Sequence, residues 1–184
     1  MNASTPVGFG WVRAAEAGLT FRRITDADLP FLARVYASTR AEELAVAPWT
    51  EAQKAAFLDM QFRAQHADYQ TNYPEADWLV TLRGSEEIGR LYIDRWPSQH
   101  CIIDIAFLPE HRGKGLGEAL LRDLLDEAAA AGKAVSIHVE KYNPAMRLYR
   151  RLRFATEEDK GVYDLMRWTA APPDPASALY ANTA

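Results

Sequence analysis

The sequence predicts one mixed α/β domain, in which a sheet of parallel and antiparallel strands carries helices on both faces. Two observations support this prediction. Short apolar or alternating segments of strand length recur along the chain, and the clearest alternates Val135, Ile137 and Val139 with polar residues. Between these segments lie amphipathic stretches with helical periodicity that begin at recognisable capping residues. Taken in order, the predicted elements are β-α-α-β-β-β-α-β-α-β-β.

Composition and charge are those of a globular protein. The chain has 184 residues, of which 48% are hydrophobic and 25% charged, and its net charge is −4. This acidic balance, without a long basic run, argues against nucleic acid as the main partner. The single cysteine, Cys101, permits no internal disulfide. Because neither a membrane-length apolar run nor a signal-peptide pattern is evident, we expect a cytoplasmic protein without a membrane partner. A monomer or a homodimer is expected.

The domain is predicted to occupy residues 19–168. Residues 1–18 show no clear period and are expected to form an N-terminal extension. Residues 169–184, with three prolines in APPDP, are expected to form a disordered C-terminal tail. No internal repeat is visible.

Two helices are predicted in the first half of the chain. The first begins after Thr25 and gives way to a bend over residues 40–48. The second begins at a capping box of Thr50 and Gln53 and should run to about Tyr69. Strands around these helices and near the end of the chain are predicted at residues 19–24, 78–82, 88–93, 154–158 and 162–168.

The centre of the chain predicts a strand, a glycine-rich turn and a helix. Ile102–Leu108 has the length of a buried strand, and Pro109 should end it because proline has no N–H for a ladder. An apolar stripe then follows helical spacing up to Gly132, which is expected to cap the helix. The stripe consists of Leu116, Leu120, Leu121, Leu124, Leu125 and Ala128.

Three glycines alternate where this helix begins: Gly113, Gly115 and Gly117. A helix N-terminus has unpaired N–H groups and a positive dipole end, and the lack of side chains lets a pyrophosphate approach the backbone. A Walker loop is excluded because Glu118, not lysine, follows the last glycine. The spacing also differs from the G-x-G-x-x-G pattern of dinucleotide-binding folds.

Two segments carry a resemblance to a known family. Residues 112–117, RGKGLG, resemble the R/Q-x-x-G-x-G/A acetyl-CoA motif of the GCN5-related N-acetyltransferases. Residues 142–154 resemble that family's N-x-x-A-x-x-L-Y-x-x-x-G-F segment, although Arg153 takes the place of its glycine. The resemblance covers residues 19–168 and implies the acyl-CoA N-acyltransferase fold.

The resemblance implies a function and a cosubstrate. It implies transfer of the acetyl group of acetyl-CoA to a primary amine of a small molecule or protein, by direct attack on the thioester and without a metal. It also implies that backbone N–H groups hold the pyrophosphate and that a strand edge pairs with the pantetheine arm. The residues so implied in cosubstrate binding are Ile105, Ala106, Phe107, Arg112, Gly113, Lys114, Gly115, Leu116, Gly117, Glu118 and Asn143.

Proton transfer requires an acid and a base. Tyr149 matches the family's tyrosine and would protonate the leaving thiolate, because a phenol with a pKa near ~10 stays protonated at neutral pH. His138 and Glu140 project from one face of a predicted strand. The resemblance implies His138 as the first candidate for the base, because it matches by its offset from Asn143 a position where some relatives have a glutamate base, and Glu140 is the second candidate. Asp104 on the central strand is a further candidate, and a relay through water would need none of them.

The acceptor pocket is expected between residues 36 and 73. Side chains that could line it are Arg40, Glu42, Glu43, Trp49, Phe57, Gln61, Gln65 and Tyr69. None of these residues identifies the amine. The alternative function is a catalytically silent protein that binds acyl-CoA as a sensor or interaction module, which would keep the same glycine turn.

Overall fold

The computed structural model describes residues 7–170, so residues 1–6 and most of the predicted C-terminal tail lie outside the described range. The predicted α/β class is confirmed, and the elements follow the predicted order with one added helix. The helices are α1 (Val12–Glu16), α2 (Leu29–Ala45), α3 (Glu51–Asn72), α4 (Leu116–Ala130) and α5 (Met146–Arg151). The strands are β1 (Leu19–Arg23), β2 (Asp77–Arg83), β3 (Glu86–Arg95), β4 (Gln99–Phe107), β5 (Ala134–Glu140), β6 (Ala155–Lys160) and β7 (Tyr163–Trp168). Within residues 7–170, no helix is both long and apolar enough to cross a membrane.

The seven strands form one sheet in the order β1-β2-β3-β4-β5-β7-β6. β4 and β5 run parallel, whereas every other neighbouring pair is antiparallel. The register between β4 and β5 ends at the pair Ile102–Ile137, although both strands continue. We call the resulting gap the split; residues 103–107 of β4 and 138–140 of β5 form its sides. Along the split, β4 has no strand partner on its β5 side in the described part of the chain.

Helices cover both faces of the sheet, as predicted. On one face α1, α4 and α5 pack on a core that includes Leu120 and Leu124, both without solvent exposure. On the other face α2 and α3 pack on a core that includes Leu32 and Tyr92. Burial of each such side chain contributes about 1.5–3 kcal/mol of transfer free energy. The helices on both faces therefore stabilise the sheet that contains the split.

Helix α1 lies within the predicted N-terminal extension and was not predicted, because five residues are too few to show a helical period. Ala14 is fully buried, and its N–H donates to Asp123 Oδ2 at 2.7 Å. Trp11 Nε1 donates to Glu127 Oε2 at 2.7 Å. Both carboxylates belong to α4, so α1 is packed against the body of the domain.

The predicted bend over residues 40–48 is wrong in its first part, because α2 continues to Ala45. Residues 40–45 contain no glycine or proline and consist of good helix formers, and the first breaker along the chain is Pro48. The capping box that starts α3 is confirmed. Gln53 N donates to Thr50 Oγ1 at 3.3 Å, and Thr50 N donates to Gln53 Oε1 at 2.9 Å.

Candidate active site

The glycine turn connects the end of β4 to the first turn of α4. Gly113 and Gly115 have φ angles of 70° and 78°, in the left-handed region that favours glycine. The N–H groups from Gly113 to Glu118 have no acceptor within residues 7–170, and the first bonded one is that of Ala119, which donates to Gly115 O at 3.0 Å. These adjacent donors at the positive end of α4 form a site suited to an anion.

The charged residues of the turn differ in their contacts. Arg112 connects the end of β4 to α2, because its Nε donates to Phe107 O at 2.8 Å and its Nη2 to Ser38 Oγ at 2.7 Å. Its guanidinium therefore holds the strand end in place in this structure. Lys114 is exposed and forms no ion pair with another described residue, so its ammonium is available to an anion at the turn. Glu118 instead pairs with two arginines, Arg122 at 2.8 Å and Arg151.

Residues 105–107 of β4 lie along the split. On their other side they pair with β3, where Gly89 opposes Phe107. A Cβ on Gly89 would lie 2.4 Å from Ala106 O, so glycine there permits the close approach of the two strands. The backbone groups of residues 105–107 that face the split can therefore accept an extended ligand as an added strand.

Helix α5 places Tyr149 in the core on the α4 face. Its side chain is 4% exposed, and its ring packs edge-on against Phe154 with centroids 5.7 Å apart. Its hydroxyl forms no hydrogen bond with any residue from 7 to 170. Burial raises the pKa of the phenol, and the negative charge of Asp104 raises it further. Tyr149 is therefore protonated at neutral pH.

The two ends of α5 are fixed by local contacts. Asn143 is exposed, and its Oδ1 accepts a hydrogen bond from Ala145 N at 2.8 Å in the turn that leads into the helix. Arg153, at the position of the family's glycine, adopts a φ of 70°. Phe154 N then donates to Tyr149 O at 3.0 Å and closes the helix end.

The two candidate bases on β5 lie on the face covered by α2 and α3. His138 is the first β5 residue beyond the last pair with β4, and its side chain is exposed. Partial burial lowers the pKa of its imidazole, and Lys160 lowers it further against the opposing effect of Glu158. Glu140, two residues on, accepts hydrogen bonds from Arg40 Nη1 at 2.5 Å and from Tyr163 Oη at 3.2 Å.

Asp104 is paired with an arginine that the sequence did not reveal as a site residue. Arg90 on β3 is 2% exposed, and its Nη2 donates to Asp104 Oδ2 at 2.6 Å. Removal of the charge from one partner of a buried pair costs about 3–5 kcal/mol. A proton on Asp104 would therefore leave the buried guanidinium uncompensated, which disfavours Asp104 as the base. The sequence signal was a lone arginine within the apolar strand segment of residues 88–93.

A groove of about 210 Å³ opens beside Glu140, between α2 and α3. Of the expected acceptor-pocket residues, Arg40, Glu43, Phe57 and Gln61 line it, whereas Glu42, Trp49, Gln65 and Tyr69 do not. We call it the α2–α3 groove; its lining is Arg40, Glu43, Leu44, Phe57, Leu58, Gln61, Glu140 and Tyr163. In the part of the chain described here, no three His, Cys, Asp or Glu side chains come together to hold a metal ion.

Within residues 7–170, a mixed sheet opens into a split beside a glycine turn with free N–H groups, which agrees with the acyl-CoA N-acyltransferase fold that the resemblance implies. The model of the Acetyltransferase (GNAT) family matches residues 39–154, and the chain belongs to this family. The resemblance drawn from the two sequence segments is thereby confirmed.

Solved structures of acetyltransferases share this fold. The PaiA N-acetyltransferase of Thermoplasma acidophilum, solved in complex with coenzyme A, is 17% identical to this chain, with a TM-score of 0.62. The alignment covers 83% of this chain and 99% of the PaiA chain. An acetyltransferase from Thermus thermophilus is 18% identical with a TM-score of 0.59, covering 83% of this chain and 97% of its own. The histone acetyltransferase HPA2 and related acetyltransferase from Corynebacterium glutamicum is 22% identical with a TM-score of 0.57, covering 85% and 99%. No curated protein sequence matches the chain.

Proposed function

We propose that this chain is an N-acetyltransferase that moves the acetyl group of acetyl-CoA to a primary amine of a small molecule or protein. The observation that carries the proposal is the split: among residues 7–170, it has an unpaired strand edge on one side and lies beside a glycine turn with free N–H groups. The residues fit the cosubstrate: the N–H groups of residues 113–118 and the ammonium of Lys114 suit a pyrophosphate. Residues 105–107 suit the amide groups of a pantetheine arm.

Acetyl-CoA supplies a thioester, and the chain supplies the acid and the base. The amine nitrogen forms a bond to the acetyl carbon as the C–S bond breaks. Tyr149 gives its proton to the departing thiolate. Burial raises the pKa of Tyr149, so the phenol still carries its proton when the thiolate forms.

The amine's proton goes to His138 in our first proposal and to Glu140 in our second. The lowered pKa keeps the His138 imidazole neutral at pH 7 and free to accept a proton. In the second proposal, Arg40 would lose its ionic partner Glu140 and keep Glu43 at 3.1 Å. Asn143, in the turn beside α5, is proposed to contact the pantetheine arm.

The proposal is tested by thiol release from acetyl-CoA across a panel of amines, amino acids and peptides, together with calorimetry of CoA binding. Gly115→Glu places a side chain and a negative charge at the anion site, so CoA binding and thiol release should both be lost. Gly84→Glu is the matched control. Gly84 also has a positive φ, 63°, and open space around a Cβ, but it lies in the β2–β3 turn.

The outcomes distinguish the two functions that the sequence left open. Loss of CoA binding in Gly115→Glu but not in Gly84→Glu, with amine-dependent thiol release in the wild type, supports the acetyltransferase. CoA binding without thiol release for any amine would instead assign the silent sensor or interaction module. Unchanged CoA affinity in a folded Gly115→Glu variant would contradict the cosubstrate site itself.

A further inference from the structure

The α2–α3 groove carries an unbalanced negative charge. Its charged lining residues are Arg40, Glu43 and Glu140. Arg40 Nη1 lies 3.1 Å from Glu43 Oε1 and 2.5 Å from Glu140 Oε1, so one guanidinium serves two carboxylates. The three side chains together bear a net charge of −1, and a cation entering the groove would balance it.

The remaining wall of the groove is apolar or neutral. Leu44, Leu58 and the ring of Phe57 form an apolar surface, and Gln61 and Tyr163 complete the lining. The Phe57 ring is itself fixed by Trp49, whose ring meets it at an angle of 67° with centroids 5.1 Å apart. Such a wall suits a methylene chain, and aromatic faces attract cations.

The groove lies on the same sheet face as the proposed base. His138 and Glu140 are two residues apart on β5, so their side chains share a face, and Glu140 lines the groove. Glu140 is three residues beyond Ile137, where β4 and β5 part. At about 3.3 Å per residue, the groove carboxylate lies about 10 Å along β5 from the start of the split.

We propose that the acceptor carries a second positive charge, joined by an apolar chain to the amine that is acetylated, and that Glu43 and Glu140 hold this charge in the α2–α3 groove. The inference rests on the proposed function. An alkylammonium group has a pKa near ~10.4, so the second amine stays charged at neutral pH while the first loses its proton in the split. Arg40 and Tyr163 fix the Glu140 carboxylate before the acceptor arrives.

Three probes with six-carbon chains test this charge requirement: hexane-1,6-diamine, hexylamine and 6-aminohexanoic acid. Their far ends are positive, neutral and negative. We expect kcat/KM to decrease in that order. At low salt, kcat/KM for the diamine should exceed that for hexylamine by about tenfold, after correction for the factor of two that its two equivalent amines contribute. The advantage should shrink as NaCl is added, because these side chains are partly exposed.

Two glutamine variants locate the charge. Glu43→Gln neutralises the groove and should lower the ratio of kcat/KM for the diamine to that for hexylamine to about two. Glu42→Gln is the matched control, because Glu42 is exposed on the same helix and does not line the groove. A diamine preference that falls equally in both variants would overturn the assignment.

Calorimetry of the same probes on CoA-saturated protein separates this inference from the proposed function. Equal thiol release with the diamine and hexylamine would leave the acetyltransferase standing and overturn the groove assignment. Tighter binding of the diamine without thiol release for any probe would support the groove assignment and contradict acetyl transfer. Equal binding of all three probes without turnover would overturn the groove assignment as well.

Discussion

Removal of the Tyr149 hydroxyl is the most direct test of the proposed chemistry. Tyr149→Phe keeps the buried ring and its edge-on contact with Phe154 at 5.7 Å. Because the hydroxyl bonds to no residue in the range 7–170, its loss leaves no described partner unsatisfied. We therefore expect the free energy of unfolding to change by no more than about 0.5 kcal/mol.

The effect on catalysis should be much larger. A positioned general acid is worth about 10²–10⁴-fold in rate, which corresponds to about 2.7–5.5 kcal/mol of transition-state stabilisation. The proton is transferred only as the C–S bond breaks, so the loss belongs to kcat and hardly to the KM for acetyl-CoA. Protonation of the phenol is secure because burial raises its pKa above the ordinary value of 10.0.

The measurement is steady-state thiol release at varied acetyl-CoA, with urea unfolding of the same samples. Tyr73→Phe is the control: Tyr73 is half-buried and stacks on Trp96 with centroids 6.4 Å apart, away from α5. A kcat for Tyr149→Phe within about twofold of the wild type would refute the assignment of Tyr149 as the acid. A parallel loss in Tyr73→Phe would point to a general effect of removing a phenol.

Three further predictions address the base, the end of α5 and acid stability. In the wild type, kcat/KM plotted against pH should have an inflection below pH 6.5, where His138 titrates. His138→Ala should remove this inflection and Glu140→Gln should keep it. An unchanged pH profile in His138→Ala would mean that another group or water accepts the proton. Arg153→Gly should raise the free energy of unfolding in urea by about 1 kcal/mol, because it relieves a left-handed φ of 70°, and Arg150→Gly inside α5 should lower it by a similar amount. Burial lowers the pKa of His100 below its ordinary value of 6.5. As the pH falls through 6.5, the unfolded state therefore binds more protons than the folded state, and the melting temperature should decrease. A melting temperature of His100→Gln that decreases as steeply with pH as that of the wild type would contradict this.

Local sequence signals predicted the features that depend on a few neighbouring residues. The Thr50–Gln53 box starts α3 because both of its hydrogen bonds form within one turn. Gly113 and Gly115 adopt the left-handed angles for which glycine is suited. Arg153 shows that the backbone at this helix end requires a left-handed φ, because it adopts a φ of 70° although it is not a glycine. The hydrogen bond that closes α5 is kept.

Contacts between distant segments could not be predicted from such signals. Arg112 was expected at the anion site, yet its guanidinium reaches Ser38, 74 residues earlier in the chain. The pair of Arg90 and Asp104 depends on the antiparallel register of β3 and β4, which no single segment encodes. The split itself depends on where the β4–β5 pairing stops, and neither strand's apolar pattern marks that point.

One physical effect, desolvation, favours the forms of Tyr149 and His138 that the proposed transfer requires. Tyr149 belongs to the core on the α4 face, whereas His138 lies with Glu140 on the α2–α3 face. Desolvation is the largest cause of the pKa shift in both residues, and it disfavours the charged form of each. Desolvation therefore favours the protonated phenol and the neutral imidazole, which are the forms that the proposed acid and the proposed base require.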